Sequence, residues 1–284
     1  MIIQEFDFRA PRELGDVLRL LAEHRDDTKL LAGGMSLVPM MALGLVRPLM
    51  VISLNHLSGL SYVREDGPDL RIGAGTTHAE IVGDPLIARH CPMLLQAARC
   101  IGDVQVRNRG TIGGTLAHAD PAADYLPVMA AADARITVRN LNGQRELRAE
   151  AFFTGLMQTA LSPDEVLVEL TIPKSRVQTS YQRLHRIEGN FAIVNAAAVV
   201  DPARQRARVA VGGVGPVPLT LDISAELRQG ANAAALEAIA TRVYDAASDA
   251  PEDLNAGPEY RRRMAALYAR RAIETAFAVP AAAI

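Results

Sequence analysis

Apolar residues recur along the chain with two different periods, and the switches between them mark out its elements. Phe6 to Leu31 reads as strand, helix, strand: Pro11 can open the helix, and Leu14, Val17, Leu18 and Leu21 fall on one helical face. Lys29-Leu30-Leu31-Ala32 has the pattern of a short buried strand stopped by Gly33-Gly34. A helix is predicted over 36–45 and a further strand over 51–54. Residues 70–75 predict a strand ending in a glycine turn, after which Thr77 can cap a helix reaching Val82. Another helix is predicted over 90–101, a glycine-rich loop over 108–119 and a buried, alanine-rich helix over 126–133. Residues 135–139 and 165–172 alternate as strands, and Pro173 ends the second. Residues 193–200 and 206–213 predict neighbouring strands joined by a turn at Asp201-Pro202. Two alanine-rich helices, over 231–247 and 259–278, close the pattern.

The first stretch is an αβ unit whose second strand ends in a glycine pair, and soft boundaries fall near residues 57 and 175. The expected units are 1–57, 58–175 and 176–284, and 284 residues suffice for each to bury a core. No internal repeat interrupts them.

The formal net charge is -2, so the basic excess typical of a nucleic-acid binder is missing. The densest basic run, Arg261, Arg262 and Arg263 with Arg270 and Arg271, reads as the solvated or partner-facing surface of a helix. No segment approaches the roughly 18 consecutive apolar residues of a membrane span. The opening residues lack the basic, apolar and small-residue regions of a signal peptide, so a cytoplasmic protein is expected. Two cysteines occur, Cys91 and Cys100. They cannot supply the four thiolates of an iron–sulfur cluster, so any such cluster must sit in another chain.

Chemistry concentrates in two glycine pairs. Ala32-Gly33-Gly34-Met35-Ser36-Leu37 lies where a strand passes into a helix. A diphosphate requires close backbone approach and several N–H donors aimed at one point, and glycine permits both. Ser36 adds a hydroxyl. Alone, such a pair is more often only a turn. The second, Thr111-Ile112-Gly113-Gly114-Thr115, again sets two glycines between hydroxyl residues, and Asp124 follows. Two such loops could close on opposite sides of one long ligand. Neither matches the glycine-x-glycine-x-x-glycine fingerprint, and neither carries a P-loop lysine. Asp124 suits a ribose or ribityl hydroxyl, since an ionised carboxylate only accepts; a helix cap or an exposed loop acid fits its position equally well.

Taken together, Ala32-Gly33-Gly34-x-Ser36-Leu37 and Thr111-Ile112-Gly113-Gly114 resemble the FAD-binding medium subunit of the molybdenum hydroxylases. That family includes the flavoprotein subunits of carbon monoxide dehydrogenase and N-heterocycle dehydrogenases, and is related to the FAD domain of xanthine dehydrogenase. The similarity runs from Phe6-Asp7-Phe8-x-x-Pro11 through Val106-Arg107-Asn108-Arg109-Gly110 to Tyr260-Arg261-Arg262. It implies two α+β sub-domains holding FAD between them, in the para-cresol methylhydroxylase-type arrangement, and a C-terminal sheet-and-helix domain. By this resemblance Lys29, Leu30, Leu31, Ala32, Gly33, Gly34, Met35, Ser36 and Leu37 line the diphosphate and adenosine side. Thr111, Gly113, Gly114 and Thr115 meet the diphosphate or ribityl chain, and Asp124 a hydroxyl. Leu167 and the Gly189-Asn190-Phe191 turn lie near the cofactor, with Phe191 against the isoalloxazine. Thr115 stands where asparagine or serine is frequent, and Asn190-Phe191 replaces the more usual Asp-Tyr.

The resemblance further implies a division of labour. A large partner subunit oxidises substrate at a molybdenum cofactor, a small partner carries two [2Fe–2S] clusters, and this chain's FAD passes the electrons on. A dimer of such heterotrimers is expected. The six histidines show no metal-ligand spacing, and no catalytic residue or metal site is assigned to this chain. His118, inside the second loop, reads as a loop or interface residue or as a group on the flavin. The rival functions are a self-contained FAD oxidase and a flavin-free structural subunit.

Overall fold

The computed structural model describes residues 4–24, 27–174, 178–201 and 205–278. Its first unit is a three-stranded parallel sheet in the order β1 (Asp7–Arg9), β3 (Met50–Ser53), β2 (Thr28–Leu31), linked by α1 (Leu14–Glu23) and α2 (Leu37–Ala42). The helical spacing of Val17, Leu18 and Leu21 puts all three against Met50 and Ile52 of the central strand. β3 is buried along its whole length, which is why Met50-Val51-Ile52 shows no alternation.

The second unit is antiparallel. Its sheet runs β4 (Val63–Asp66), β5 (Asp69–Gly73), β10 (Val166–Pro173), β6 (Arg135–Asn140), β7 (Gly143–Arg148). Between β5 and β6 the chain makes α3 (His78–Gly83), α4 (Pro85–His90), α5 (Pro92–Cys100), α6 (Val104–Arg109), α7 (Ile112–His118) and α8 (Tyr125–Ala131). A short α9 (Ala149–Phe152) and the hairpin β8 (Phe153–Gly155) with β9 (Gln158–Thr159) lead back to β10. The helix expected over 90–101 is α5, which Pro92 opens; His90 instead ends the separate α4. The loop expected over 108–119 is largely helical. Asp103 caps α6 through Val106 N–H, and Thr111 caps α7 through Gly114 N–H.

The third unit is the antiparallel sheet β11 (Gln178–Leu184), β12 (Val194–Asp201), β13 (Arg206–Gly212), β14 (Leu219–Asp222), followed by a 3-10 turn at Glu226–Gln229, α10 (Ala233–Ala246) and α11 (Pro258–Ala278). β12 and β13 pair as the alternation suggested, with Val200 opposite Ala207. The expected turn at Pro202 and the boundary at 175 fall outside the described residues. Alanines at 265, 269, 272 and 276 let α11 lie close on the sheet. Arg261 corrects the reading of a basic helix surface, for it is buried. Its guanidinium donates to the carbonyls of Ile193 and Gly213 and reaches Asp253 at 2.6 Å.

β10 joins two cores. Val166 packs with Val17 and Ile52 of the first unit, while Leu167, Leu170 and Ile172 belong to the second core with Leu94, Leu116 and Leu126. A register shift between Leu167 and Glu169 accommodates the change. Beyond it Glu169 turns to the other face, accepting from the Tyr62 hydroxyl at 2.6 Å and from Arg71 at 2.8 Å. Among the described residues no helix is long and apolar enough to cross a membrane.

Candidate functional site

At the end of β2 the backbone turns through Gly33 and Gly34 before α2 begins. Gly34 has φ +78, a left-handed conformation that side chains oppose. Gly33 is constrained by space: a Cβ there would stand 2.0 Å from the Arg109 carbonyl oxygen and 2.7 Å from Gly110 Cα. The strand end therefore lies flat on the chain joining α6 to α7. Among the described residues, the amides of Gly33, Gly34, Met35 and Ser36 donate to no backbone carbonyl. Ser36 spends no side-chain bond on capping α2. Four successive donors and a hydroxyl are thus left without a partner among the described residues, the number and kind a diphosphate demands.

The second glycine pair is arranged differently. Thr111 bridges Thr77, Ile112 N–H donates to the Thr76 carbonyl at 3.0 Å, and Gly113 N–H to that of Ala74 at 2.9 Å. Gly113 has no room for a side chain, since a Cβ would meet Ala74 at 2.6 Å. Gly114 N–H donates to Thr111 Oγ1 at 3.1 Å, and Thr115 bonds the Thr111 carbonyl through both its N–H and its hydroxyl. Of the two loops, then, the first offers free donors, and the second spends its own on the loop after β5 and on α7. What the second contributes is proximity. A Cβ on Gly114 would stand 3.8 Å from that of Ala32, so the two glycine pairs meet.

Around this junction the other expected residues divide. Leu30 and Leu31 are half-buried, Leu30 packing in the first core, and Leu37 is half-buried at the head of α2. Lys29 and Met35 are exposed. Leu167 is buried in the second core, opposite Val138; its neighbour Val168 accepts from Ala74 N–H at 3.0 Å, next to the loop that Gly113 touches. His118 is half-buried at the last residue of α7.

Asp124 corrects two of its sequence readings. It sits at the head of α8 but its carboxylate caps nothing, and it is 5% exposed. Burial raises its carboxyl above the ordinary range, opposed by Arg183 and by the Tyr181 hydroxyl. That hydroxyl donates to Oδ1, and Arg183 Nη1 lies 3.5 Å from Oδ2. Both partners come from β11, far along the chain. Arg183 also donates to the carbonyls of Cys100 and Asn190, which ties the turn carrying Phe191 to Asp124. Phe191 itself is 60% exposed. It edges a groove of about 320 Å³ with Arg186, Gly189, Asn190, Ile193 and Asn255.

Sequence reasoning missed Tyr181 and Arg183, and also His78. The His78 ring is buried beneath the second glycine turn, with Nδ1 at 3.0 Å from the Tyr125 hydroxyl and Gly110 pressed on its far edge. Burial, reinforced by Arg107, lowers its pKa to about 4, so it is neutral at pH 7. The available signal was the capping box Thr77-x-x-Glu80, which fixes where α3 starts and so where His78 points. Among the described residues no three of His, Cys, Asp and Glu gather as metal ligands would.

Residues 4–175 match the family described as FAD binding domain in molybdopterin dehydrogenase, and residues 179–276 match the CO dehydrogenase flavoprotein C-terminal domain. The carbon monoxide dehydrogenase medium chain of Hydrogenophaga pseudoflava is 34% identical, over 98% of this chain and 99% of its own. The solved structure of that organism's carbon monoxide dehydrogenase superposes with a TM-score of 0.92 over the same shares of the two chains. The nicotine 6-hydroxylase medium subunit of Paenarthrobacter nicotinovorans is 37% identical over 72% of this chain and 74% of its own. Quinoline 2-oxidoreductase from Pseudomonas putida 86 gives a TM-score of 0.86 at 30% identity, over 97% of this chain and 98% of that one.

Proposed function

The chain belongs to the family of FAD-binding medium subunits of the molybdenum hydroxylases, oxidoreductase components with an α+β FAD-binding fold, and on that premise we propose that it relays electrons between partner subunits and an external acceptor. One observation carries the reading: four unspent amides in the turn from Gly33 to Ser36, whose first residue lies against the Arg109–Gly110 backbone where a side chain would not fit. A diphosphate would accept from those amides and from the Ser36 hydroxyl, with Gly114 across the junction and Thr115 next to it in α7. The buried Asp124 keeps acceptor capacity beyond Tyr181 and Arg183, since a carboxylate has about four acceptor sites. That capacity suits a hydroxyl of the same ligand. Phe191 provides an apolar face for the isoalloxazine, and Leu167 underlies the site from β10.

Bound FAD supplies reversible electron acceptance, while the protein supplies its position and surroundings. Substrate oxidation falls to a molybdenum-cofactor subunit, and delivery of electrons to a small subunit with two [2Fe–2S] clusters. The working unit is a cytoplasmic dimer of heterotrimers. Within this chain the labour divides at residues 57 and 175: the first two units hold the dinucleotide and the third presents Phe191. The purified chain titrated with FAD tests this directly. Near-stoichiometric flavin absorbance, without hydroxylating activity, is expected; a colourless chain that ignores added FAD, or one that hydroxylates alone, overturns the reading.

A further inference from the structure

Arg183 is almost wholly buried, its side chain 4% exposed, and three of its contacts come from three separate elements. It donates to the Cys100 carbonyl at the end of α5, faces the Asp124 carboxylate at the head of α8, and donates to the Asn190 carbonyl in the turn between β11 and β12. A guanidinium is a rigid planar fork, so its acceptors cannot move independently of one another. A buried cation must also keep its partners, because losing one leaves charge unsolvated. Its bond to residue 190 is to the backbone, and so does not depend on which side chain stands there. The same turn rests on the second unit through Gly189, where a Cβ would make ordinary contact with the Gly102 carbonyl at 3.5 Å.

We propose that Arg183 is a positioning residue of the flavin site: by bridging the Asp124 carboxylate and the Asn190 carbonyl, it makes the grip on a flavin hydroxyl and the placement of Phe191 over the ring a single coupled arrangement. The inference rests on the FAD-binding reading above. Binding at Asp124 then stiffens the 185–193 turn, and a change in that turn is felt at Asp124.

The test combines hydrogen exchange, FAD titration and flavin midpoint potential on the full chain. Arg183→Met should speed exchange of the 185–193 amides by about tenfold or more, as expected for losing a charge-assisted hydrogen bond. Arg183→Lys, which keeps the charge but not the fork, should fall between and stands in if the methionine variant fails to fold. FAD affinity is then compared for Asp124→Asn, Phe191→Ala and the pair. With Arg183 in place the two effects should be non-additive by about fivefold or more, and additive in the Arg183→Met background. The midpoint potential should shift in Arg183→Met as in Phe191→Ala. Additive effects with Arg183 present, or an unchanged potential and turn exchange without it, overturn the bridge while leaving FAD binding intact. A chain that takes up no FAD at all sinks the FAD-binding reading itself, and the positioning role with it.

Discussion

Gly33 and Arg109 meet backbone to backbone, with room for no carbon between the glycine and the arginine's carbonyl oxygen at 2.0 Å from where a Cβ would stand. That contact fixes the strand end of the first unit on a helix end of the second. Gly33→Ala should therefore lower stability by about 1–3 kcal/mol or more, because main chain rather than a flexible side chain must yield. FAD uptake should be lost with it. A Cβ in Gly114→Ala meets the Thr111 side-chain Oγ1 at 2.9 Å and Ala32 Cβ at an ordinary 3.8 Å, and the alanine gains helix propensity, so stability should change by less than about 1 kcal/mol. Urea denaturation and FAD titration of the two variants check the contrast.

His78 makes stability pH-dependent. Its folded pKa of about 4 lies below the unfolded value near 6.5, so the unfolded chain binds the proton more readily. The stability of the neutral ring is fully present above about pH 6.5 and is lost as pH falls through about 4. The loss approaches about 3 kcal/mol at the acid end. His78→Gln should flatten the urea midpoint between these pH values relative to the native chain, and an unchanged slope would remove His78 as the cause.

Phe191 separates function from stability. Being 60% exposed, it contributes little to the core, and Phe191→Ala should change stability by no more than about 0.5 kcal/mol. Flavin fluorescence and midpoint potential should nonetheless shift. A thermal melt beside a redox titration reads both.

Arg261 predicts the reverse. Arg261→Met leaves the Ile193 and Gly213 carbonyls without their donor and Asp253 without its cation, so a loss of about 3 kcal/mol or more is expected by denaturation. In the folded chain burial alone would raise the Asp253 carboxyl, but the Asn255 amide, Arg261 and the Ala256 amide bring it down to about 2. Asp253→Asn should cost less than Arg261→Met, because the buried cation keeps both carbonyls.

Central strands and packed helices were legible in the sequence because burial on one or both faces writes a period into it. β3, β5, β10, β12 and β13 all announced themselves. β4 and β7 did not, and they are the two edges of the five-stranded sheet, where Arg64, Glu65 and Asp66 or Gln144, Arg145 and Glu146 meet solvent and carry no alternation. β11 was hidden for another reason: its buried positions include Gln178, Thr179 and Ser180. The second glycine pair read as a loop because glycine disfavours helix. Its need for close packing on Ala74 is a tertiary fact, visible only when β5 and α7 are brought together. Asp124 shows the same limit. Whether an acid caps a helix, meets solvent or is buried depends here on Tyr181 and Arg183, whose approach no local pattern encodes.

β10 has a consequence for how the molecule comes apart. Its residues on one side help close the first core and those on the other side line the second, across a one-residue slip in register. Pulling that strand away opens both cores at once. The two units that meet at the glycine turns are therefore expected to melt together, neither keeping its core once the strand has left.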